Sequence, residues 1–424
     1  MRKLTDTSVI CSFLFFIILL FSIIYYPKLS LAENQPTDTA NIYFQGVYLL
    51  EEEKNYSEAL RIFREILGDN PNHAEAHFQI GNIYRLTHQL EKAKIYYQNA
   101  INLKPNYLSA HYYLGVVELE LKEYPNALEA FKETIRLDPE FQEAHYSLGL
   151  TFFQLEQYTF ALDSFQQALK LNPNDFQSYY GLGITYKQLG EEQEAIQSLN
   201  RTIELKPDYG QAFYELGIIY RSQEQYQEAI NALEKAAHYL PEQADQIYYQ
   251  IGMIYEQLEN YSQAIEALEK AVQYNEKFTD AYYFLGWFYN INRQFDKSIE
   301  AYERVIFLEP DYANVYYNLG WVYSETEQYQ KAVEAFQKAI ARAPNDADSH
   351  YALGWVYSKL ENYEQAKNAF QETIRIQPDY VYAHYGLGMV YLALGERSLA
   401  LEEYKILKNL KQDIADLLFD QIYP

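Results

Sequence analysis

Residues 316–344 read YYNLGWVYSETEQYQKAVEAFQKAIARAP, and residues 350–378 read HYALGWVYSKLENYEQAKNAFQETIRIQP. Laid over each other, Leu319, Gly320, Tyr323, Ala332, Phe336 and Pro344 return as Leu353, Gly354, Tyr357, Ala366, Phe370 and Pro378, each 34 residues on. The glycine of this frame stands at 46, 81, 115, 149, 183, 217, 252, 286, 320, 354 and 388, so the interval is 34 residues eight times and 35 twice. A fixed period of 20–50 residues marks a stack of supersecondary units, each of which buries its apolar face only against its neighbours. The 424 residues therefore do not imply several globular domains, because such a stack grows in one direction around a continuous core.

Within each unit apolar residues recur at three- and four-residue spacing in two runs of about a dozen, split by a short polar turn. Most units close on Pro followed by Asn, Asp or Glu. This pattern predicts two antiparallel amphipathic helices per unit. The recurring glycine on the first helix, and Ala161, Ala195, Ala229 or Ala332 on the second, remove side-chain bulk where the backbones approach. Pro105, Pro139, Pro173 and Pro207 cannot continue the preceding helix and reset the chain for the next unit.

Together these positions resemble the tetratricopeptide repeat, whose pattern runs W-x2-L-G-x2-Y, then A-x3-F, then P. The resemblance covers residues 40–412 in eleven units. It implies an all-α fold, a right-handed α-solenoid of tandem helix-turn-helix units across residues 41–412. Glu276 takes the place of the proline after the seventh unit, and extra residues fall between Gly46 and Ala59 and between Pro241 and Gly252. An irregularity near residues 241–280 is therefore expected. Past Gln412, which replaces the last proline, Ile414, Leu417, Leu418 and Ile422 form a further apolar stripe, predicting a C-terminal capping helix over residues 413–424.

The chain carries 34 basic and 59 acidic residues, a net charge of −25, which repels phosphate backbones and argues against a nucleic-acid partner. The single cysteine, Cys11, leaves the repeats without a thiolate nucleophile, a disulfide or a cysteine-based zinc site. Arg2 and Lys3 precede an apolar run over residues 9–26, and Ser30-Leu31-Ala32 follows it. Residues 1–32 thus read either as a membrane anchor, from the length of the run, or as a signal peptide, from the small residues at 30 and 32. Either reading sends the repeats across the membrane, after a polar spacer at residues 33–40.

In tetratricopeptide proteins the first helices line a concave groove, and the resemblance assigns that groove to residues three before, one after and four after each glycine. Tyrosine fills the first of these places from Tyr112 to Tyr385, and Trp287, Trp321 and Trp355, the only tryptophans, fill the second in units eight to ten. Tyr283, Trp287 and Asn290, then Tyr317, Trp321 and Ser324, then Tyr351, Trp355 and Ser358 form an aromatic strip with a polar edge, suited to an extended peptide or a partner helix. The competing reading is that these rings pack between adjacent helices. Tyrosine stands where some family members carry a lysine that grips a C-terminal carboxylate, which argues against that ligand.

His77, His111, His145, His350 and His384 share one repeat position, but neighbouring units lie on the order of 10 Å apart. Zinc needs nitrogen at about 2.0 to 2.1 Å, so packing rather than metal binding is expected of them. No G-x-x-x-x-G-K, G-x-G-x-x-G or H-E-x-x-H occurs, and repeats with the leader occupy almost the whole chain. The expectation is a non-catalytic protein-binding scaffold without cofactor or metal, working at or beyond a membrane in assembly of an envelope or membrane complex. A carbohydrate-binding or polysaccharide-export module using the Trp/Tyr strip is the alternative. Homo-oligomers through uncapped ends or grooves are a further class of partner.

Overall fold

The computed structural model describes residues 38–424. The expected signal or anchor over residues 1–32 lies outside the described residues, as does most of the spacer at 33–40. Among the described residues all regular elements are helical, and no helix is long and apolar enough to cross a membrane.

From Asp38 to Leu410 the helices alternate in pairs, a first helix of 13 or 14 residues followed by a second of 14, as in Ala347–Lys359 and Tyr363–Ile376 or Phe176–Leu189 and Glu192–Leu205. One more helix, Gln412–Ile422, follows the last pair. The turn inside each pair contains one left-handed residue: Lys54, His88, Lys122, Glu156, Glu224, Glu259, Arg293, Glu327 and Glu361, with glycine there only at Gly190 and Gly395. The amide after it reaches back over the helix end, as Glu123 N–H to the Glu118 carbonyl at 2.8 Å and Gln89 N–H to the Tyr84 carbonyl at 2.8 Å. These bonds satisfy carbonyls that the helix leaves open and reverse the chain within a few residues.

Between pairs, Asn70, Asp138, Asn172 and Asn275 each accept from the backbone amide two residues on, at 3.0 to 3.2 Å. This Asx turn survives beside Glu276, where proline is missing, because the asparagine rather than the proline closes it. The extra residue ahead of Gly252 is absorbed by a single 3-10 turn, Pro241–Gln243, leading into the helix Ala244–Gln257.

The described residues divide into two compact units, the first ending at Glu215 and the second running Leu216–Pro424. In the first, Phe131 and Phe165 are fully buried, each against the glycine 16 residues before it. A methyl group on Gly115 would stand 2.8 Å from the Phe131 ring. Phe165 is held between two glycines, Gly149 of its own repeat and Gly181 of the next, where added methyls would lie 2.8 and 2.6 Å from the ring. In the second unit Tyr302, Phe336 and Phe370 fill the slots at Gly286, Gly320 and Gly354. The slot at Gly388 breaks this rule. Its occupant is Leu418 from the helix Gln412–Ile422, while Tyr404, at the expected spacing, is half-buried with its ring 5.2 Å from that of Phe419.

The first helices meet neighbours on two sides and carry long buried stretches, such as Phe78 to Arg85. The second helices bury only a narrow stripe, as in Ala195, Ser198, Leu199 and Thr202. Alanine there lets helix backbones close up, and the buried threonines return their hydroxyls to the carbonyl four residues back, as Thr134 does to Ala130 at 2.8 Å.

Candidate functional site: the tyrosine and tryptophan strip

The tyrosine column is built into the contacts between repeats. Tyr283 lies 6.0 Å from Tyr302 of its own second helix and 5.3 Å from Tyr312, at the entry to the next repeat. Tyr351 stands in the same relation to Phe370 at 5.8 Å and Tyr380 at 5.1 Å. Tyr112 repeats it with Phe131 and Phe141, at 6.0 and 5.0 Å. A ring that bridges two aromatic neighbours at 5 to 6 Å is a packing element. Asn318 adds a polar tie by donating to the Tyr283 hydroxyl at 3.0 Å. Burial raises the Tyr317 and Tyr351 phenols above the usual tyrosine value; the Trp321 indole bonded to Tyr317 pulls the other way without reversing the shift.

The three tryptophans differ. Trp321 is half-buried, 5.8 Å from Phe336, 6.3 Å from Tyr317 and 5.7 Å from Trp355. Trp355 is half-buried too, with Tyr329 at 6.5 Å and the Lys359 ammonium 5.1 Å above its ring. Trp287 leans on Phe284 and Phe288 but leaves 37% of its surface exposed. On the presumed polar edge, Ser324 is buried and donates to the Gly320 carbonyl at 2.8 Å, and Ser358 donates to Gly354 at 2.9 Å. Both hydroxyl protons are committed to their own helix, so the edge offers acceptors there. Asn290 is half-buried beside Trp287.

The histidine column has a single structural job. Nε2 of His77, His111, His145, His350 and His384 lies 2.9 to 3.0 Å from the carbonyl of the proline six residues before. Tyr316 does the same with its hydroxyl, donating to Pro310 at 3.0 Å. The proline carbonyl ends the preceding repeat, so each bond pins the chain between repeats. His384 is special because its other nitrogen, Nδ1, lies 2.6 Å from the Glu403 carboxylate. Both neighbours are acceptors, so both ring nitrogens must donate, and the ring is held as imidazolium. Burial works against that charge, but the bonds to Glu403 and Pro378 outweigh it and raise the pKa above the ordinary histidine value.

Two charged residues on first helices, Arg85 and Glu118, lie buried rather than in solvent. Arg85 is buried, its guanidinium 4.7 Å over the Tyr113 ring. Glu118 is 6% exposed, and burial, partly offset by the charge of Lys94, pushes its carboxyl up to about 7. The signal was available, since Glu118 stands three residues past Gly115, where the repeat pattern calls for tyrosine.

Paired antiparallel helices, a glycine slot filled by a buried ring or leucine and a left-handed turn in every pair define a helical-repeat protein. Models described as TPR repeat or tetratricopeptide repeat match residues 53–106, 117–156, 150–190, 180–246, 245–278, 289–326, 313–346, 335–368 and 356–395. The chain belongs to the tetratricopeptide repeat family. Among solved structures it is similar to the MamA protein, at 27% identity over 41% of this chain and 95% of that one, with a TM-score of 0.39. It is similar to YrrB, described as a TPR protein with an unusual peptide-binding site, at 28% identity over 42% and 92%, TM-score 0.37. A tetratricopeptide repeat protein from Parabacteroides merdae aligns at 19% identity over 59% and 98%, TM-score 0.45. No curated protein matches the sequence.

Proposed function

We propose that the protein is a non-catalytic scaffold that binds other proteins, with the Trp287, Trp321 and Trp355 patch as its principal contact surface. The observation that carries this reading is the 37% exposure of Trp287, a large aromatic left uncovered at the edge of an otherwise packed strip. An indole with one covered and one open face gains contact area at little conformational cost when a partner lies on it. In the finer reading, the N-terminal apolar run holds the scaffold at a membrane or exports it, and the repeats act outside the cytoplasm in assembly of an envelope or membrane complex. The net charge of −25 favours a partner with a basic face.

Crosslinking mass spectrometry in the native membrane fraction tests the scaffold, comparing the wild type with a folded Trp287→Ala, Trp321→Ala, Trp355→Ala variant. A protein partner lost only in the variant is the expected result. Partners unchanged by the triple substitution would sink the tryptophan assignment, and binding to a glycan with no protein partner would replace the scaffold by a carbohydrate module. A reporter active only outside the cytoplasm, fused at Pro424, is expected to give signal; activity of a cytoplasmic reporter there would overturn the localisation.

A further inference from the structure

Three residues past the repeat glycine, eight of the eleven repeats carry a tyrosine, which packs against the preceding repeat's second helix. Its hydroxyl meets the residue 20 positions earlier: Arg64 donates to Tyr84 at 2.8 Å, Tyr289 to Glu269 at 2.5 Å, Tyr323 to Glu303 at 3.3 Å, and Gln371 to Tyr391 at 3.2 Å. In the third repeat this place is taken by Glu118, and the residue 20 earlier is Gln98. Gln98 donates to Asn102 at 3.2 Å. A cleft lies between the second helices Leu90–Leu103 and Tyr124–Leu137, lined by Ile101, Leu114 and Ala130 and by polar and charged side chains, Gln98 and Glu118 among them.

The charges around the cleft are matched except for one. Lys94 pairs with Glu123, Lys132 with Glu129 at 3.1 Å, and Arg136 with Glu133 at 2.6 Å. Glu118 forms no ion pair and its carboxylate accepts no hydrogen bond among the described residues, although 94% of the residue is buried. The charge of Lys94 offsets only part of the desolvation of this carboxyl, and an arriving cation removes more of it. Ile101, Leu114 and Ala130 give the lining apolar surface among its polar and charged side chains. Guanidinium is flat, weakly hydrated and able to form two parallel bonds to a carboxylate, which suits this combination better than a compact ammonium.

We propose that the cleft beside Glu118 is a docking site for an arginine side chain of a partner protein, inserted where most other repeats carry their own tyrosine. The site stands apart from the tryptophan strip and does not depend on it, so failure of either reading leaves the other intact. The test uses the full-length protein with labelled Ile101 and Leu114 methyl groups, followed by NMR. The probes are the peptide acetyl-Gly-Arg-Gly-amide, the same peptide with uncharged citrulline in place of arginine, and methylguanidinium.

The arginine peptide is expected to shift both methyls saturably, at least tenfold more tightly than the citrulline peptide. Glu118→Gln should weaken the arginine peptide at least tenfold, and Glu118→Tyr, which restores the residue of most other repeats, should abolish its binding. Equal response to the two peptides, no response in the wild type, or unchanged affinity in Glu118→Gln overturns the proposal. Methylguanidinium binding as tightly as the peptide would overturn the assignment to a partner's side chain and leave a small-cation site.

Discussion

At Gly320 an added methyl group would stand 2.6 Å from the buried Phe336 ring, whereas at Gly68, inside the helix Tyr56–Asp69, nothing lies within 4 Å. The same substitution therefore has opposite signs at the two sites. Gly320→Ala is expected to destabilise by about 1–3 kcal/mol through overpacking. Gly68→Ala should stabilise by up to about 1 kcal/mol, because only the helix propensity changes. Urea unfolding of the two variants measures both, and a stabilising Gly320→Ala would mean that the ring moves freely. The glycine spacing was legible in the sequence because it repeats; which neighbour fills each slot was legible, from Gly81 to Gly354, from the matching aromatic or leucine 16 residues on, but not at Gly388.

His384 gives a second prediction at this scale. Its pKa is raised in the folded state by Glu403 and Pro378 against the opposing effect of burial, so its contribution is fully present below the unfolded histidine value of about 6.5 and is lost as pH rises through the higher folded pKa. Thermal unfolding from pH 6 to pH 9 is expected to show falling stability over that window. His384→Gln should remove that part of the slope, and a wild-type profile flat across the window would contradict the imidazolium assignment. The histidine column looked like packing from its spacing alone. Its partner, a proline carbonyl six residues back, was hidden because a backbone acceptor leaves no mark in a side-chain pattern.

Helices and turns are the next level. Every pair reverses through one left-handed residue, and nine of the eleven are not glycine. The chain tolerates this strain because the amides that follow satisfy open carbonyls. At Gly190, with φ of 77°, Gly190→Ala is expected to cost about 1 kcal/mol, read as a lower urea midpoint with unchanged slope. No change at all would show that the turn relaxes out of the left-handed region. The two-helix unit was readable from apolar periodicity, and its turn from polar composition. The left-handed residue was not, because Lys, His, Arg and Glu at that place give no conformational signal of their own. The same limit applies to the strip: Tyr283, Trp287 and their equivalents were identifiable by position, but the division into covered and open rings depends on side chains from neighbouring repeats.

For the molecule as a stack, stability is a sum of repeats and their interfaces, so an uncovered end loosens first. The helix Gln412–Ile422 buries Ala415, Leu418 and Ile422, and Arg397 ties it down by donating to the Ile422 carbonyl and stacking 4.5 Å over Tyr423. Leu418→Ala is expected to destabilise by about 2–5 kcal/mol. Hydrogen exchange should then accelerate first in Val381–Ala393 and Arg397–Leu410, and uniform acceleration along the chain would argue against this stack-like behaviour. An apolar stripe past the last repeat was visible in the sequence, yet not that Leu418 would displace Tyr404 from the Gly388 slot. Local spacing favours Tyr404, and only the folded chain decides between two candidates for one space.

Tyr404 is in that sense a spare key, kept half-buried beside a lock that Leu418 occupies. An array in which further repeats replaced Gln412–Ile422 would already carry the ring its vacated slot requires, so the number of repeats is adjustable at this joint without redesign of the repeat before it.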